Sequence, residues 1–425
     1  MNIFFMEVLL AFLYFSFFSL LAWRNFKLAL TFFIVLLPAY LIRLQIGQLP
    51  STALELSFGS IFFVWLIKHS RADLKKIWQM SKNHKVFFVC FDLFFLASVI
   101  SIFVSDMPIP SLGEWRAYFL EPMVFFLILL GRKEEIKSAS LVLALALSTI
   151  SISLYAVAQK FTGWGIATPQ FADEASRRVT AFFTSPNAVG LYLAPVIILT
   201  IPLFALVNKK TKYLLLVIDF FCFWALVFTK SQGAFVGLGA GILVFLFFSG
   251  YKKIAVAVAV LAIIFVLAIP SMRQAVLFKD TANQNRLRLW GYTQTFLNKS
   301  PQNFVFGTGI RQFFRKVQKP YYDKKVMERL IYPHNFFLNF WTEAGLAGMA
   351  AMTAMVGWLF YLAGKVRKIN KWHGAGLAGG LTVLIVHGLV DVPYFKNDLA
   401  FLFWIIAALF FVSYENIRQS QAERA

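Results

Sequence analysis

Apolar residues in this chain come in long unbroken blocks rather than at alternating positions. The blocks lie near residues 3–22, 27–43, 52–67, 86–104, 117–131, 137–158, 187–207, 213–229, 232–249, 253–269, 335–363, 375–390 and 399–414, separated by short polar connections. A helix of about 20 apolar residues crosses a bilayer whose hydrocarbon core is roughly 30 Å thick, so each block is expected to span as a helix. Strands of a membrane barrel would alternate apolar and polar residues, and these blocks do not. The expected fold class is an all-α polytopic membrane protein with about 12–13 transmembrane helices. A re-entrant segment among the first three blocks gives the lower number.

Composition agrees. The chain is 59% hydrophobic and only 14% charged, against roughly 25% charged residues in an ordinary globular chain, so a soluble core could not hide its apolar surface. The net charge of +21 would suit nucleic acid, but its placement points to membrane topology and an anionic ligand, with no nucleic-acid partner. Arg24 with Lys27 and the segments 68–85, 132–137, 209–212, 252–253 and 365–371 are basic, and by the positive-inside rule they are cytoplasmic. The connections 105–114, 159–186, 229–232, 271–333 and 392–397 then fall outside. The N-terminus is also outside, and the basic tail 418–424 inside. Residues 1–23 lack a basic n-region and a small-residue cleavage site, which reads as a retained first span. Cys90 and Cys222 each sit inside an apolar run and suggest free core thiols.

The segment 271–333 breaks the charge pattern, with twelve basic residues against three acidic ones. At roughly 60 residues it is long enough to escape the charge rule, so it is read as a large periplasmic loop. The excess suits an anionic headgroup or phosphate, and a basic loop resting on anionic lipid is the competing reading. Within it, 286–299 places Leu287, Trp290, Thr293, Phe296 and Leu297 at helical spacing, predicting an amphipathic helix; 311–330 looks similar, broken at Pro320. The expected organisation is an N-terminal transmembrane bundle (1–270), the basic loop (271–333), and C-terminal transmembrane helices with a cytoplasmic tail (334–425).

Three strings stand out near the expected outer face. They are Arg286-Leu-Arg-Leu-Trp290 followed by Pro301 and Phe306-Gly-Thr-Gly309; Pro333-His-Asn335 followed by Glu343-Ala-Gly-Leu-Ala-Gly348; and Thr184-Ser-Pro-Asn187. In order and spacing, over roughly residues 170–410, the chain resembles the O-antigen ligase and O-antigen polymerase superfamily. That signature is R-x3-W, then P-x-n-G-x-G, then HN with a downstream E-x-G-x-x-G. Arg178 and the segments 230–233 and 387–391 sit where that family has further polar residues. One departure stands out: the family commonly carries Ser-Arg-Gly where this chain has Ser231-Gln232-Gly233, and the neighbouring Lys230 offers a point charge instead of a planar fork.

The resemblance implies a GT-C-like membrane glycosyltransferase in the bacterial inner membrane. It would need neither metal nor cofactor, and would move a glycan from a polyprenyl diphosphate carrier to a lipid, glycan or protein acceptor on the periplasmic side. The residue types suit that chemistry. Breaking a sugar–diphosphate bond develops negative charge on the departing phosphate, which guanidinium groups stabilise; Arg286 and Arg178 are the candidates. The acceptor hydroxyl must lose a proton, and His334 is the one histidine this topology places clearly outside, which makes it the candidate general base. Arg178, Lys230, Gln232, Arg288, Asn335, Glu343 and Asp391 form the expected substrate-binding set. Arg288 fits lipid-phosphate contact as well, and Gly307 with Gly309 reads first as a turn. Glu343 lies in an apolar span, where an ionisable residue is costly, and is expected either to orient His334 or to serve helix packing.

A transporter or flippase of lipid-linked sugar, or of a small solute, is the alternative. Such proteins show internal repeats and charged residues along the whole path. Here no repeat is evident, and the polar residues cluster towards one face.

Overall fold

A computed structural model of the protein describes residues 3–46, 49–324 and 328–422. Lys325 in the basic loop and Arg424 in the expected cytoplasmic tail lie outside the described residues. In chain order the helices begin with α1 (Ile3–Arg24), α2 (Phe26–Val35), α3 (Ala53–Lys68), α4 (Ser70–Asn83), α5 (Lys85–Val104), α6 (Pro108–Trp115), α7 (Glu121–Gly131) and α8 (Ser138–Thr162). After the short α9 (Pro169–Ala172) come α10 (Pro186–Thr200), α11 (Lys209–Thr229), α12 (Gln232–Phe248), α13 (Lys252–Ala268), α14 (Pro270–Val276), α15 (Thr281–Leu297) and α16 (Pro301–Phe306). The chain ends in α17 (Phe336–Ile369), α18 (Lys371–Gly388) and α19 (Asn397–Ala422).

Among the described residues, 6 helices are long and apolar enough to cross a membrane, and Val8–Arg24, Phe26–Val35 and Gln232–Phe248 are shorter apolar helices. The protein is an all-α polytopic membrane protein. Two expected helices are shorter than the pattern implied. The block at 27–43 leaves α-helix at Val35 and continues as a 3-10 turn, Leu37–Leu41, into a two-stranded ladder of Arg43–Ile46 with Leu49–Thr52. Pro38 causes this, since it lacks an N–H and disfavours helical geometry in the residue before it. Among the described residues of 311–330, the expected amphipathic helix is confined to Phe314–Gln318 and Lys319–Tyr321. Pro320 and the left-handed Arg311 (φ 66°) confine it.

The chain divides into two compact units, each assembled from separated segments. The first comprises residues 1–83, 121–231 and 396–425. Its core gathers Phe33 against Phe125 and Phe401, with ring centroids 4.4 and 5.0 Å away, and Phe126 against Trp404 at 5.1 Å. α19 is apolar nearly all round and buried from Leu399 to Ser413, as a central helix must be. α3 opens on a capping box: Thr52 accepts from the Glu55 N–H (3.2 Å), and Glu55 accepts from the Thr52 N–H (3.0 Å).

The second unit comprises residues 84–120 and 232–395. An aromatic cluster of Phe94, Phe119, Phe340, Tyr394 and Phe395 forms its core. α12 packs on α18 through small residues: a Cβ on Gly233 would stand 2.7 Å from Cδ2 of His387, and one on Gly237 3.1 Å from the Val383 carbonyl. α17 is a broken helix. Gly345 (φ 72°, ψ 178°) interrupts it where the Val305 carbonyl approaches to 2.5 Å of any Cβ at that position. The Phe306-Gly-Thr-Gly309 turn lies across the same break. A Cβ on Gly307 would meet the Trp341 carbonyl at 2.3 Å, and the Thr308 N–H donates to Thr342 O at 2.7 Å. The two glycine strings of the sequence are therefore two halves of one backbone contact.

Candidate active site

The Pro333-His334-Asn335 tripeptide enters α17 and is fixed from three directions. Asn335 caps the helix, its side-chain oxygen accepting from the Phe337 and Leu338 N–H groups at 3.1 Å each. Its amide nitrogen donates to the Leu389 carbonyl at 3.1 Å, and the Trp290 indole N–H donates to the Pro333 carbonyl at 2.9 Å. His334 takes left-handed geometry (φ 53°), which aims its ring away from the helix path, and Nδ1 lies 3.2 Å from Oδ1 of Asp391. A carboxylate only accepts, so Nδ1 carries a proton, and in the neutral imidazole Nε2 holds the lone pair. The imidazole is 25% exposed and the carboxylate 8%, so the acceptor side is shielded while the ring stays reachable.

Asp391 also accepts the Val392 N–H at 2.9 Å. Burial alone would push its carboxyl up. The hydrogen bond from His334, with the fields of the two imidazoles and the Arg286 guanidinium, outweighs burial and holds it well below the usual carboxylate range. Arg286 belongs to this cluster through that charge. Its NH1 donates to Asn283 Oδ1 at 2.7 Å, and Asn283 is in turn held by Asp280, the N-cap of α15, at 2.7 and 2.9 Å. Sequence reasoning missed Asn283 and the role of the Trp290 indole. The Asp280-x-x-Asn283 string ahead of an amphipathic run was the available signal. Arg288 is exposed, since two residues along a helix turn a side chain about 200° away.

Glu343 is buried but does not touch His334. Its Oε2 accepts the Arg311 backbone N–H at 2.9 Å, and the Arg311 guanidinium reaches Glu114 at 3.3 Å. Burial raises the Glu114 carboxyl, and Arg311 opposes that. Glu343 thereby fastens the glycine turn to α17. The carboxylate on the histidine is Asp391.

Arg178 and Lys230 lie in the first unit, where they share a neighbourhood. Arg178 Nε donates to the Thr229 carbonyl at 2.9 Å, NH2 approaches Asn187 Oδ1 at 3.4 Å, and the guanidinium lies 5.4 Å from the Phe171 ring. Asn187 comes from the Thr184-Ser-Pro-Asn187 string, whose Ser185 caps α10. Lys230 ends α11 in left-handed geometry (φ 52°) with its ammonium 3.2 Å from the Ser176 carbonyl. Gln232 starts α12 in the second unit and is exposed. Among the described residues, no group of three or more His, Cys, Asp or Glu is placed to hold a metal ion.

Residues 217–353 match the family model described as O-antigen ligase. The matched segment contains Arg286, His334, Asn335 and Glu343, and it bears out the resemblance to the O-antigen ligase and polymerase superfamily. It supports glycan transfer as the general activity. No curated protein matches the chain.

Proposed function

We propose that this O-antigen-ligase-like membrane protein transfers a glycan from a polyprenyl diphosphate carrier to an acceptor hydroxyl at the periplasmic face of the inner membrane. The acceptor hydroxyl gives its proton to Nε2 of His334 as its oxygen bonds to the sugar's anomeric carbon. The bond from that carbon to the phosphate oxygen breaks, and the carrier diphosphate leaves with the electron pair. Arg286 lies beside the departing phosphate and stabilises its charge without a metal. Asp391 orients the imidazole and stabilises the imidazolium that forms. Arg178 and Lys230 bind substrate phosphate, and Gln232 and Asn335 line the substrate path.

The observation that carries this proposal is the His334–Asp391 pair at 3.2 Å with the Arg286 charge beside it. A fixed base next to a cation is what glycosyl transfer from a phosphate leaving group requires. The test is transfer from purified polyprenyl diphosphate glycan in nanodiscs with EDTA present, offered a growing glycan, a lipid-core sugar and a protein hydroxyl in turn. Transfer to one acceptor that is lost in both His334→Ala and Arg286→Ala, with both variants folded, supports the assignment and names the acceptor. Activity surviving both changes removes these residues from the chemistry.

A further inference from the structure

Two long stretches of the second unit contain no acidic residue at all: 232–279 holds no Asp or Glu, and neither does 344–390. Three cations of the second stretch, Arg367, Lys368 and Lys371, meet at the junction of α17 and α18. There Arg367, Lys368, Ile369 and Lys371 line an open cavity of about 320 Å³, within the size range of small-ligand sites, roughly 300–1,000 Å³. The turn between α12 and α13 touches two of the lining side chains. A Cβ on Gly250 would lie 2.6 Å from the Lys371 ammonium, and Arg367 donates to the Phe248 carbonyl while its guanidinium lies 5.4 Å from the Phe248 ring.

Exposed aromatic residues lie on the same two helices as the cavity lining, as they do near a lipid–water boundary. Trp372 is 43% exposed and Tyr361 50%; Trp372 packs on Phe245 and Tyr251, and Lys365 lies over the Tyr361 ring at 5.1 Å. The 365–371 connection, cytoplasmic by the positive-inside rule, would then set these cations at headgroup level. Positive charge set to place a loop on the cytoplasmic side requires no cavity, and this charge is arranged around one.

We propose that this cavity binds the phosphate headgroup of an anionic phospholipid, at the opposite end of α17 from His334. Basic pockets between transmembrane helices at this depth take such headgroups, and guanidinium supplies the bidentate contact a phosphodiester accepts. The site does not depend on the proposed glycan transfer.

Native mass spectrometry of the full chain in detergent, titrated with phosphatidylglycerol or with phosphatidylethanolamine of matched acyl chains, tests this. The wild type should bind phosphatidylglycerol saturably and tighter than phosphatidylethanolamine. The double variant Arg367→Gln/Lys371→Gln should bind it about thirty-fold more weakly, while Lys209→Gln/Lys210→Gln, which removes equal charge elsewhere, should not change. Equal loss in both double variants would reduce the effect to bulk charge and overturn the site. Full displacement of the lipid by equimolar inorganic phosphate would also overturn it, in favour of a free anion. Should the first variant fail to fold, photo-cross-linking of headgroup-labelled phosphatidylglycerol to wild-type protein decides. Cross-links confined to 248–253 and 365–372 support the site, and cross-links spread equally over 68–85 and 209–212 sink it.

Discussion

Arg178 and Arg286 are both half-buried guanidinium groups, yet the atoms that hold them differ. Arg178 is gripped by the Thr229 carbonyl, the Asn187 side chain and an aromatic face. These neutral groups orient the guanidinium. Arg286 leans on the neutral Asn283 but lies near the Asp391 carboxylate, so its field is partly spent within the protein. The first arrangement suits holding an anion that is already charged in the ground state. The second suits a charge that grows as the reaction proceeds, because the carboxylate opposes ground-state binding while the cation remains poised.

The largest test of that contrast removes the imidazole beside Arg286. His334→Asn keeps a residue that tolerates left-handed geometry, so backbone strain stays small and the lost chemistry is isolated. A fall in turnover of roughly 100- to 10,000-fold is expected, with an unchanged circular dichroism spectrum. Next, Arg286→Lys should lower kcat about 100-fold and leave KM nearly alone. Arg178→Lys should instead raise KM about tenfold with little change in kcat; equal effects on kcat would erase the distinction drawn here.

Asp391→Asn sharpens it through pH. The native carboxyl titrates below its unfolded value of about 3.9, so its contribution to stability is present above that pH and fades as pH falls through the depressed native value. The thermal destabilisation caused by Asp391→Asn should therefore be constant from pH 5 to 8 and shrink progressively below about pH 4, as followed by melting in detergent. Smallest of all, the exposed Arg288→Gln should change transfer less than threefold.

Much of this was legible in advance. Hydropathy located most of the apolar helices, because an apolar block in lipid has few ways to satisfy its backbone other than by coiling, but not the polar α4. The pairing of Pro333-His334-Asn335 with the start of a helix was also legible, since Asn before an apolar run is a capping signal. Glu343 was harder to read. An ionisable residue in an apolar span pointed to function, and only the break at Gly345 with the returning 306–311 turn shows that it binds a backbone N–H. Likewise nothing in the string 387–391 said that Asp391 would meet His334, 57 residues upstream, because that contact is made by tertiary packing. The early strand ladder was obscured by hydrophobicity, which does not separate a short strand from a short helix.

The break at Gly345 also bears on lipid thickness. As one rod, Phe336–Ile369 would measure about 51 Å, well beyond a hydrocarbon core of roughly 30 Å. Cut at Gly345, its later part, 346–369, is about 36 Å long and fits with modest tilt. The earlier part is then free of the need to match the bilayer. A thicker or thinner membrane can be met by leaning the long piece alone, and the bond between imidazole and carboxylate keeps its length while the lipid around it changes.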